Sequence, residues 1–314
     1  MSKLEEMLEG AGSVAISGHI RPDGDCVGSV MSVCQYIKKN MPEMTVGVFL
    51  ETPPSVFECI QGIEKIDSNM DTLHEYDVFI ALDCTSDRLG KALEIFDRAK
   101  KKINIDHHIS NSGCGDINIL VPDASSTCEV VYELMDAEKI DAEIAKTIYI
   151  GMIHDTGVFK YSNTSPKTLR IAADLISYGF DFSKIIDETF YEKTYEQTLI
   201  CGRAVSESVR FMDGKCIFSV VDKSMMEFYG VGGKDLDGII NQLRIIKGVE
   251  CAIFLYQTGN MEYKVSMRSN GLVDVASVAV FFGGGGHVRA AGCTMRGTVH
   301  DVINNLSAQI AQQI

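Results

Sequence analysis

Short apolar, β-branched runs alternate with longer stretches of helical spacing through the first part of the chain. The runs predict strands over residues 14–17, 45–50, 77–82, 102–105 and about 117–121. The intervening periodicity predicts helices over 27–38, 55–60, 91–99, 127–135, 142–154 and 167–178. This alternation is the pattern of an α/β domain on a mainly parallel sheet with helices on both faces. From residue 181 to about 210 the chain is more polar, and 189–203 reads as a long connecting helix. Beyond it, 209–221 reads as a hairpin around Asp213-Gly214, and 251–257 with 262–267 as a second strand pair. Helices are expected over 233–246 and 273–282, which makes this part a smaller α+β domain. The expected organisation is a first domain over 1–188, a helical linker over 189–208 and a second domain over 209–314.

Candidate chemistry gathers where the apolar runs stop. The first ends at Gly18-His19, the third at Asp83 and the fourth at Asp106-His107-His108. Ligands of open α/β sheets collect beyond the carboxyl ends of strands, so three strands deliver acids and imidazoles to one rim. The first of these stretches, Gly-His-Ile-Arg-Pro-Asp-Gly-Asp-Cys-Val-Gly-Ser at 18–29, is a strand-to-helix turn. Pro22 keeps Arg21 out of helical geometry, and Gly24 lets the backbone turn between Asp23 and Asp25. Two carboxylates this close repel unless a proton or a cation lies between them. The alternative for this stretch is Asp23 as a helix N-cap, with Asp25 in the first turn and His19 incidental. Asp155 falls at the C-terminal end of a mostly apolar helix, where the macrodipole disfavours an anion and a nearby cation removes the conflict. His154 beside it reads as a satisfied polar residue more readily than as a ligand.

The 314 residues carry a formal net charge of −14, with 46% hydrophobic and 23% charged residues, which is globular composition with enough chain for two cores. That charge argues against sequence-independent binding of long duplex nucleic acid. It leaves room for a small phosphate ligand held by a local group of cations. Ten cysteines are scattered without a Cys-x-x-Cys pair, several inside apolar runs, as buried free thiols are. No signal peptide or bilayer-length apolar run is read, so a cytoplasmic location without membrane contact is expected. Cys26 reads as a small buried residue, with sensitivity to oxidation as the alternative.

In the second domain, Gly283-Gly284-Gly285-Gly286-His287-Val288-Arg289-Ala290-Ala291-Gly292 stands out. Consecutive glycines expose backbone N–H groups and can form an anion-binding nest, with Arg268 as a second candidate for a phosphate. Gly-Lys-Ser/Thr is absent, so this is not a Walker A loop. A flexible linker is the alternative.

The rim inventory is His19, Asp23, Asp25, Asp83, Asp106, His107, His108 and Asp155. Oxygen and imidazole donors without thiolate suit Mn²⁺, Mg²⁺ or Co²⁺ better than a structural zinc. Asp23, Asp25, Asp83 and Asp155 balance two divalent ions. Such ions about 4 Å apart activate a water and clamp a phosphoryl group, so hydrolysis at phosphorus is the expected reaction. A single-metal or purely structural cluster is the alternative.

These motifs resemble the DHH phosphoesterase superfamily. The likeness rests on 18–29, Asp83-Cys84-Thr85, Asp106-His107-His108 and Asp155-Thr156-Gly157 in order, with Gly283–Gly292 similar to the Gly-Gly-Gly-His-x-x-Ala-Ala-Gly signature of its DHHA1 domain. Length and layout most resemble the NrnA-type oligoribonucleases, which act on very short RNAs and on 3′-phosphoadenosine 5′-phosphate (pAp). The resemblance implies that His19, Asp23 and Asp83 bind one Mn²⁺, and Asp25, Asp83, His107 and Asp155 the other, with Asp83 bridging. It implies that Asp106 orients His107 and that His108 meets the scissile phosphate or its leaving oxygen. Arg268, Gly284, Gly285, Gly286 and His287 would hold substrate, with Arg88 and Asn111 as weaker phosphate contacts. Other readings are a phosphodiesterase for cyclic or linear dinucleotides (c-di-AMP, pApA, pGpG), an inorganic pyro- or polyphosphatase, and a non-catalytic nucleotide sensor.

Overall fold

A computed structural model describes residues 2–314, divided into two units, Met1–Glu192 and Lys193–Ile314. The first unit holds strands β1 (Ser13–Ser17), β2 (Thr45–Phe49), β3 (Val78–Leu82), β4 (Lys101–Asp106) and β5 (Ile117–Leu120). Its helices are α1 (Lys3–Met7), α2 (Gly24–Asn40), α3 (Leu93–Arg98), α4 (Thr127–Leu134), α5 (Ala142–Asp155), α6 (Pro166–Ile176) and α7 (Phe182–Ile186). All five strands are parallel, in the order β2-β1-β3-β4-β5. Alternate residues of a strand face opposite sides, and here both sides are covered, which is why the central runs are apolar throughout. Val14, Ile16, Ile80, Leu82, Ile103 and Ile105 pack with α2, α4 and α5, while Ala15, Phe79 and Ala81 pack on the other face with Ile95 and Phe96 of α3.

This order positions the site. From β1 the chain runs outward to β2 on one side and, through β3, to β4 and β5 on the other. The crevice at the carboxyl ends of β1 and β3 is therefore the switch point of the sheet, where ligands of such folds bind.

Helix α2 begins three residues before the predicted start because Asp23 caps it, accepting the Cys26 N–H at 3.1 Å. Helices α2 and α5 cross closely at two glycines. A Cβ on Gly28 would lie 2.9 Å from both the Gly151 Cα and the Cys128 Sγ. Neither the backbone nor the buried thiol can yield cheaply, so Gly28→Ala is expected to cost about 1–3 kcal/mol through overpacking. The thermal midpoint of the purified variant checks this, and an unchanged midpoint would show slack in the crossing.

The second unit starts with α8 (Tyr195–Ser206), followed by β6 (Val209–Phe211), β7 (Cys216–Val221), α9 (Lys223–Tyr229) and α10 (Ile239–Arg244). It continues with β8 (Cys251–Gly259), β9 (Glu262–Ser269), α11 (Val275–Phe281), β10 (Gly285–His287), β11 (Ala290–Arg296) and α12 (Val299–Ile310). Its mixed sheet has the order β10-β11-β9-β8-β7-β6, with only β7 and β8 parallel. Ile253, Leu255, Val265 and Met267 face one core with α11 and α12, and Ala252 and Phe254 face another with α8 and α10.

Several elements differ from their sequence reading. The connecting helix over 189–203 is broken: a π turn covers Asp187–Tyr191, and α8 then buries Ile200 and Ala204 in the second unit's core. The helix over 233–246 splits at Gly238, whose φ of +95° separates a 3₁₀ turn from α10. The 55–60 helix is one 3₁₀ turn, Ser55–Phe57. The Asp213-Gly214 turn is wider than two residues, since Met212, Asp213 and Gly214 all have positive φ.

Candidate metal centre

His19 follows β1, Asp83 follows β3, Asp106 closes β4, and His107 and His108 come directly after it. Asp23 and Asp25 stand at the start of α2 and Asp155 at the end of α5. Asp83 is at the centre, held with φ +61°, a left-handed conformation uncommon outside glycine. Its Oδ2 lies 3.4 Å from His19 Nε2, and its Oδ1 lies 3.7 Å from His107 Nε2. His19 Nε2 is also 3.6 Å from Asp23 Oδ1. His107 Nε2 is 3.5 Å from Asp155 Oδ2 and 3.8 Å from Asp25 Oδ2. These separations are too long for hydrogen bonds and match the edges of a ligand polyhedron around a cation at about 2.1–2.4 Å.

Each ligand-type imidazole is turned by the backbone. His19 Nδ1 meets the Ile20 carbonyl at 2.9 Å and His107 Nδ1 meets the Ala124 carbonyl at 3.3 Å. An Nδ1–H donated to a carbonyl leaves the Nε2 lone pair facing the carboxylates, as a metal ligand requires. Asp83, Asp25 and His19 are buried, whereas the Asp23 side chain is 65% exposed, so the cluster opens to solvent on one side. Asp23 is both N-cap and cluster member, so the two sequence readings of it are compatible.

The charges are under tension. Burial, with the charges of Asp83 and Asp155, pushes the Asp25 carboxyl well above its usual range. Burial, with Asp83 and Asp23, raises Asp155 to about 6 against the pull of His107. Burial disfavours a charged His19, but the carboxylates of Asp23 and Asp83 beside its Nε2 outweigh it and raise its pKa. Without a metal the carboxylates thus favour positive charge at His19 Nε2. The residues fit divalent cations: His19, Asp23 and Asp83 offer atoms within 4.8 Å of one another, and so do Asp25, His107 and Asp155.

Asp106 plays another part. It was expected to orient His107, but its Oδ1 takes the ring Nδ1 of His108 at 2.7 Å and the backbone N–H of His107 at 2.6 Å. Its Oδ2 takes Asn111 Nδ2 at 2.5 Å. Asn111, expected as a phosphate contact, is buried and spends its amide on Asp106, Asn104 and Gly113. It braces Asp106. Arg88 is exposed, and its carbonyl accepts the Ile20 N–H at 2.8 Å. His154 lies outside the cluster, packed on Phe57 and Phe190 with Nε2 near the Thr189 hydroxyl. Burial lowers its pKa to about 4.

Residues 13–152 match the profile of the DHH family, N-terminal domain, and residues 213–314 that of the DHHA1 domain. The bifunctional oligoribonuclease and PAP phosphatase NrnA of Thermus thermophilus is 31% identical, over 95% of this chain and 89% of that protein. The chain belongs to the DHH–DHHA1 family. The Bacillus subtilis protein of the same name is 25% identical, over 90% of this chain and 89% of its own length. A crystal structure of an exopolyphosphatase-related protein from Bacteroides fragilis superposes with a TM-score of 0.89 at 25% identity, covering 99% of this chain and 96% of that one. No helix among the described residues is long and apolar enough to cross a membrane.

In this DHH domain, the sequence reading missed the N-terminus of α4. The backbone N–H groups of Thr127 and Cys128 donate to the two oxygens of Asp25 at 2.6 and 2.9 Å, and the Thr127 hydroxyl donates to Asp83 Oδ1 at 2.9 Å. Buried Glu129 fixes the preceding turn through the Ser125 and Thr168 hydroxyls. The signal was Ser126 as N-cap before an apolar helix, but only the folded chain shows which carboxylates it serves. Thr127→Val is expected to weaken divalent-metal affinity about 10- to 100-fold, the usual cost of removing a ligand's supporting bond. Calorimetric titration with Mn²⁺ checks this, and unaltered affinity would make the contact incidental.

The DHHA1 domain does not form the expected glycine nest. Residues 285–287 are the edge strand β10, paired antiparallel with β11. The glycines answer to close approach: a Cβ on Gly284 would lie 2.2 Å from the Gly292 carbonyl, and one on Gly286 2.5 Å from that of Ala290. Ala290 pairs with Arg268 on one side and His287 on the other, so these three share one row and one face. Ala290 is the small residue between the two substrate-binding candidates.

Proposed function

We propose that the chain hydrolyses short oligoribonucleotides to mononucleotides and converts pAp to AMP, using two Mn²⁺ ions, in the cytoplasm. The observation carrying this reading is Asp83, with Oδ2 toward His19 and Oδ1 toward His107. His19, Asp23 and Asp83 would hold one ion, and Asp25, Asp83, His107 and Asp155 the other. Bound divalent cations supply Lewis acidity toward a phosphoryl group and lower the pKa of water. Oxygen and imidazole donors favour Mn²⁺, Mg²⁺ or Co²⁺, because burial keeps neighbouring Cys26 and Cys128 as neutral thiols, Cys26 with a pKa near 11. The same burial makes Cys26 a poor target for oxidation.

His108 has a different task. Asp106 holds its Nδ1 and raises its pKa, while the side chain stays 41% exposed. As an imidazolium it binds the phosphoryl oxygen through Nε2 and gives that proton to the leaving oxygen, ending neutral. Arg268, His287 and Gly284–Gly286 supply contacts for the substrate's phosphate and nucleotide, and Arg88 remains a phosphate candidate. The substrate class follows the names of the NrnA relatives.

Purified protein with Mn²⁺ is incubated separately with pAp, pApA, c-di-AMP and pyrophosphate. AMP from pAp and pApA, abolished by EDTA, is the expected result. Phosphate from pyrophosphate without AMP from pAp would overturn the reading toward an inorganic phosphatase. Cleavage of c-di-AMP alone would move it to cyclic dinucleotides, and binding without product to a sensor.

A further inference from the structure

Directly after Asp155 the backbone takes an uncommon course. Gly157, Val158 and Phe159 have φ of +57°, +56° and +62°, three left-handed residues in a row. Glycine adopts this conformation freely, but a β-branched valine and a phenylalanine do so at a cost and only where surrounding contacts hold them. Here the Val158 N–H donates to the Ile153 carbonyl at 2.8 Å, and the buried Thr156 hydroxyl accepts the Phe159 N–H at 3.0 Å. The turn reverses the chain off the end of α5 and brings Asn163 back against Asp155.

Asn163 stands among three oxygens. Its Nδ2 donates to the Ser125 carbonyl at 2.9 Å and to the Asp155 carbonyl at 3.2 Å, and Asp155 Oδ2 lies 3.4 Å away. Turning the amide over would set its oxygen against three others, so the donor side is fixed. Asp155 closes α5, where carbonyls lack partners within the helix, and Ser125 stands just before Ser126, the N-cap of α4. One amide group therefore joins the end of α5 to the start of α4. Five residues further on, the Thr168 hydroxyl donates to buried Glu129 of α4 at 2.7 Å, so the returning segment is tied to α4 at two points.

These two helix ends carry much of the second donor set. Asp155 Oδ2 is the oxygen that faces His107, and the start of α4 holds both oxygens of Asp25. We infer that Asn163 is a positioning residue for the second ion, fixing the spacing between Asp155 and Asp25 and aiming Asp155 Oδ2 at the position they share. That role rests on Asp155 being a ligand of the second ion, as in the proposed function. The Asn163 amide bonds to neither His19 nor Asp23, so the first ion depends on it far less.

The test uses the full chain with Mn²⁺ as the probe. Asn163→Ala removes the donor, and Asn163→Leu removes it while keeping the branched shape. Each should weaken the second ion about 10- to 100-fold in a calorimetric titration while the first keeps its affinity. At metal levels that just fill both wild-type sites, electron paramagnetic resonance should show a spin-coupled pair in the wild type and an isolated ion in the variants. A packing role alone would instead lower the melting temperature and both affinities together. Thr164→Val is the control on the same segment: its hydroxyl is buried without a partner among the described residues, so both affinities should stay as they are. In the metal-free protein the Asn163 side-chain amide protons should exchange slowly with solvent, which reads the clasp without any ion. Two-ion binding by the wild type with no loss, or an equal loss at both ions, in Asn163→Ala would overturn the assignment, and so would fast exchange of those amide protons. A wild type that takes up a single ion would overturn the two-ion reading itself, and this role of Asn163 with it.

Discussion

Asp83→Asn is expected to leave a folded protein that has lost its divalent pair and its turnover, with the rate down about a thousandfold or more. Both oxygens of Asp83 face imidazoles that lead to separate donor sets, so one substitution reaches both. The fold should survive for local reasons. Asn tolerates the left-handed φ of +61° at this position, and its amide oxygen still accepts from the Thr127 hydroxyl. Removing the charge also relieves Asp25, whose carboxyl is pushed up by burial and then by Asp83. The metal-free variant should therefore melt no lower than the wild type, while the rise in melting temperature on adding Mn²⁺ disappears. Thermal denaturation with and without Mn²⁺, alongside the pAp assay, reads both. Wild-type turnover in Asp83→Asn would remove the residue from the bridging role.

The second large effect is a dependence of metal-free stability on pH. Asp155 has a folded pKa of about 6 against an ordinary value of 3.8, and Asp25 is shifted in the same direction. A folded state that holds protons more tightly than the unfolded chain is favoured at low pH. The contribution is thus fully present below about pH 4 and is lost as pH rises through about 6. Asp155 alone accounts for about 2 kcal/mol over that window, at 1.36 kcal/mol per unit and allowing for its partial exposure. Two groups work in the opposite sense: His154, whose pKa burial lowers to about 4, costs stability as pH falls from about 6.5, and at lower pH Asp106 does so too, since burial opposes its ionisation but the His108 ring holds its pKa down. Divalent cations must displace the protons on Asp25 and Asp155, so Mn²⁺ should raise the melting temperature strongly at pH 7.5 and weakly at pH 5. Denaturation at a series of pH values, with EDTA or with Mn²⁺, measures both trends. Asp155→Asn isolates its share, and a stability difference between wild type and that variant that rises from pH 4 to 6 would refute the charge tension on which the site depends.

Much of the first unit could be read directly from the chain. Strands buried on both faces are nearly continuous apolar runs, so β1, β3 and β4 fall within a residue or so of their predicted bounds. The second unit was less legible where conformation depends on contacts between distant residues. Strand β10 consists of Gly285, Gly286 and His287, with no apolar alternation to mark it, and it exists because β11 pairs with it. The 189–203 helix breaks because its second half is drawn into a core formed with α10 and β8, which local periodicity cannot reveal.

The sequence by itself determined the donor inventory: three apolar runs ending in His19, Asp83 and Asp106-His107-His108, and a buried helix ending in Asp155. Those are local facts, since residue type and strand ends are written in consecutive positions. Only the tertiary structure decided how the donors are aimed. Asp106 serves the His108 ring, the Ala124 carbonyl turns His107, and the start of α4 binds Asp25 and Asp83. Orientation depends on bonds between groups far apart in the chain, formed once the parallel sheet has brought their strand ends to one edge and α2 has packed on α5 across Gly28 and Gly151.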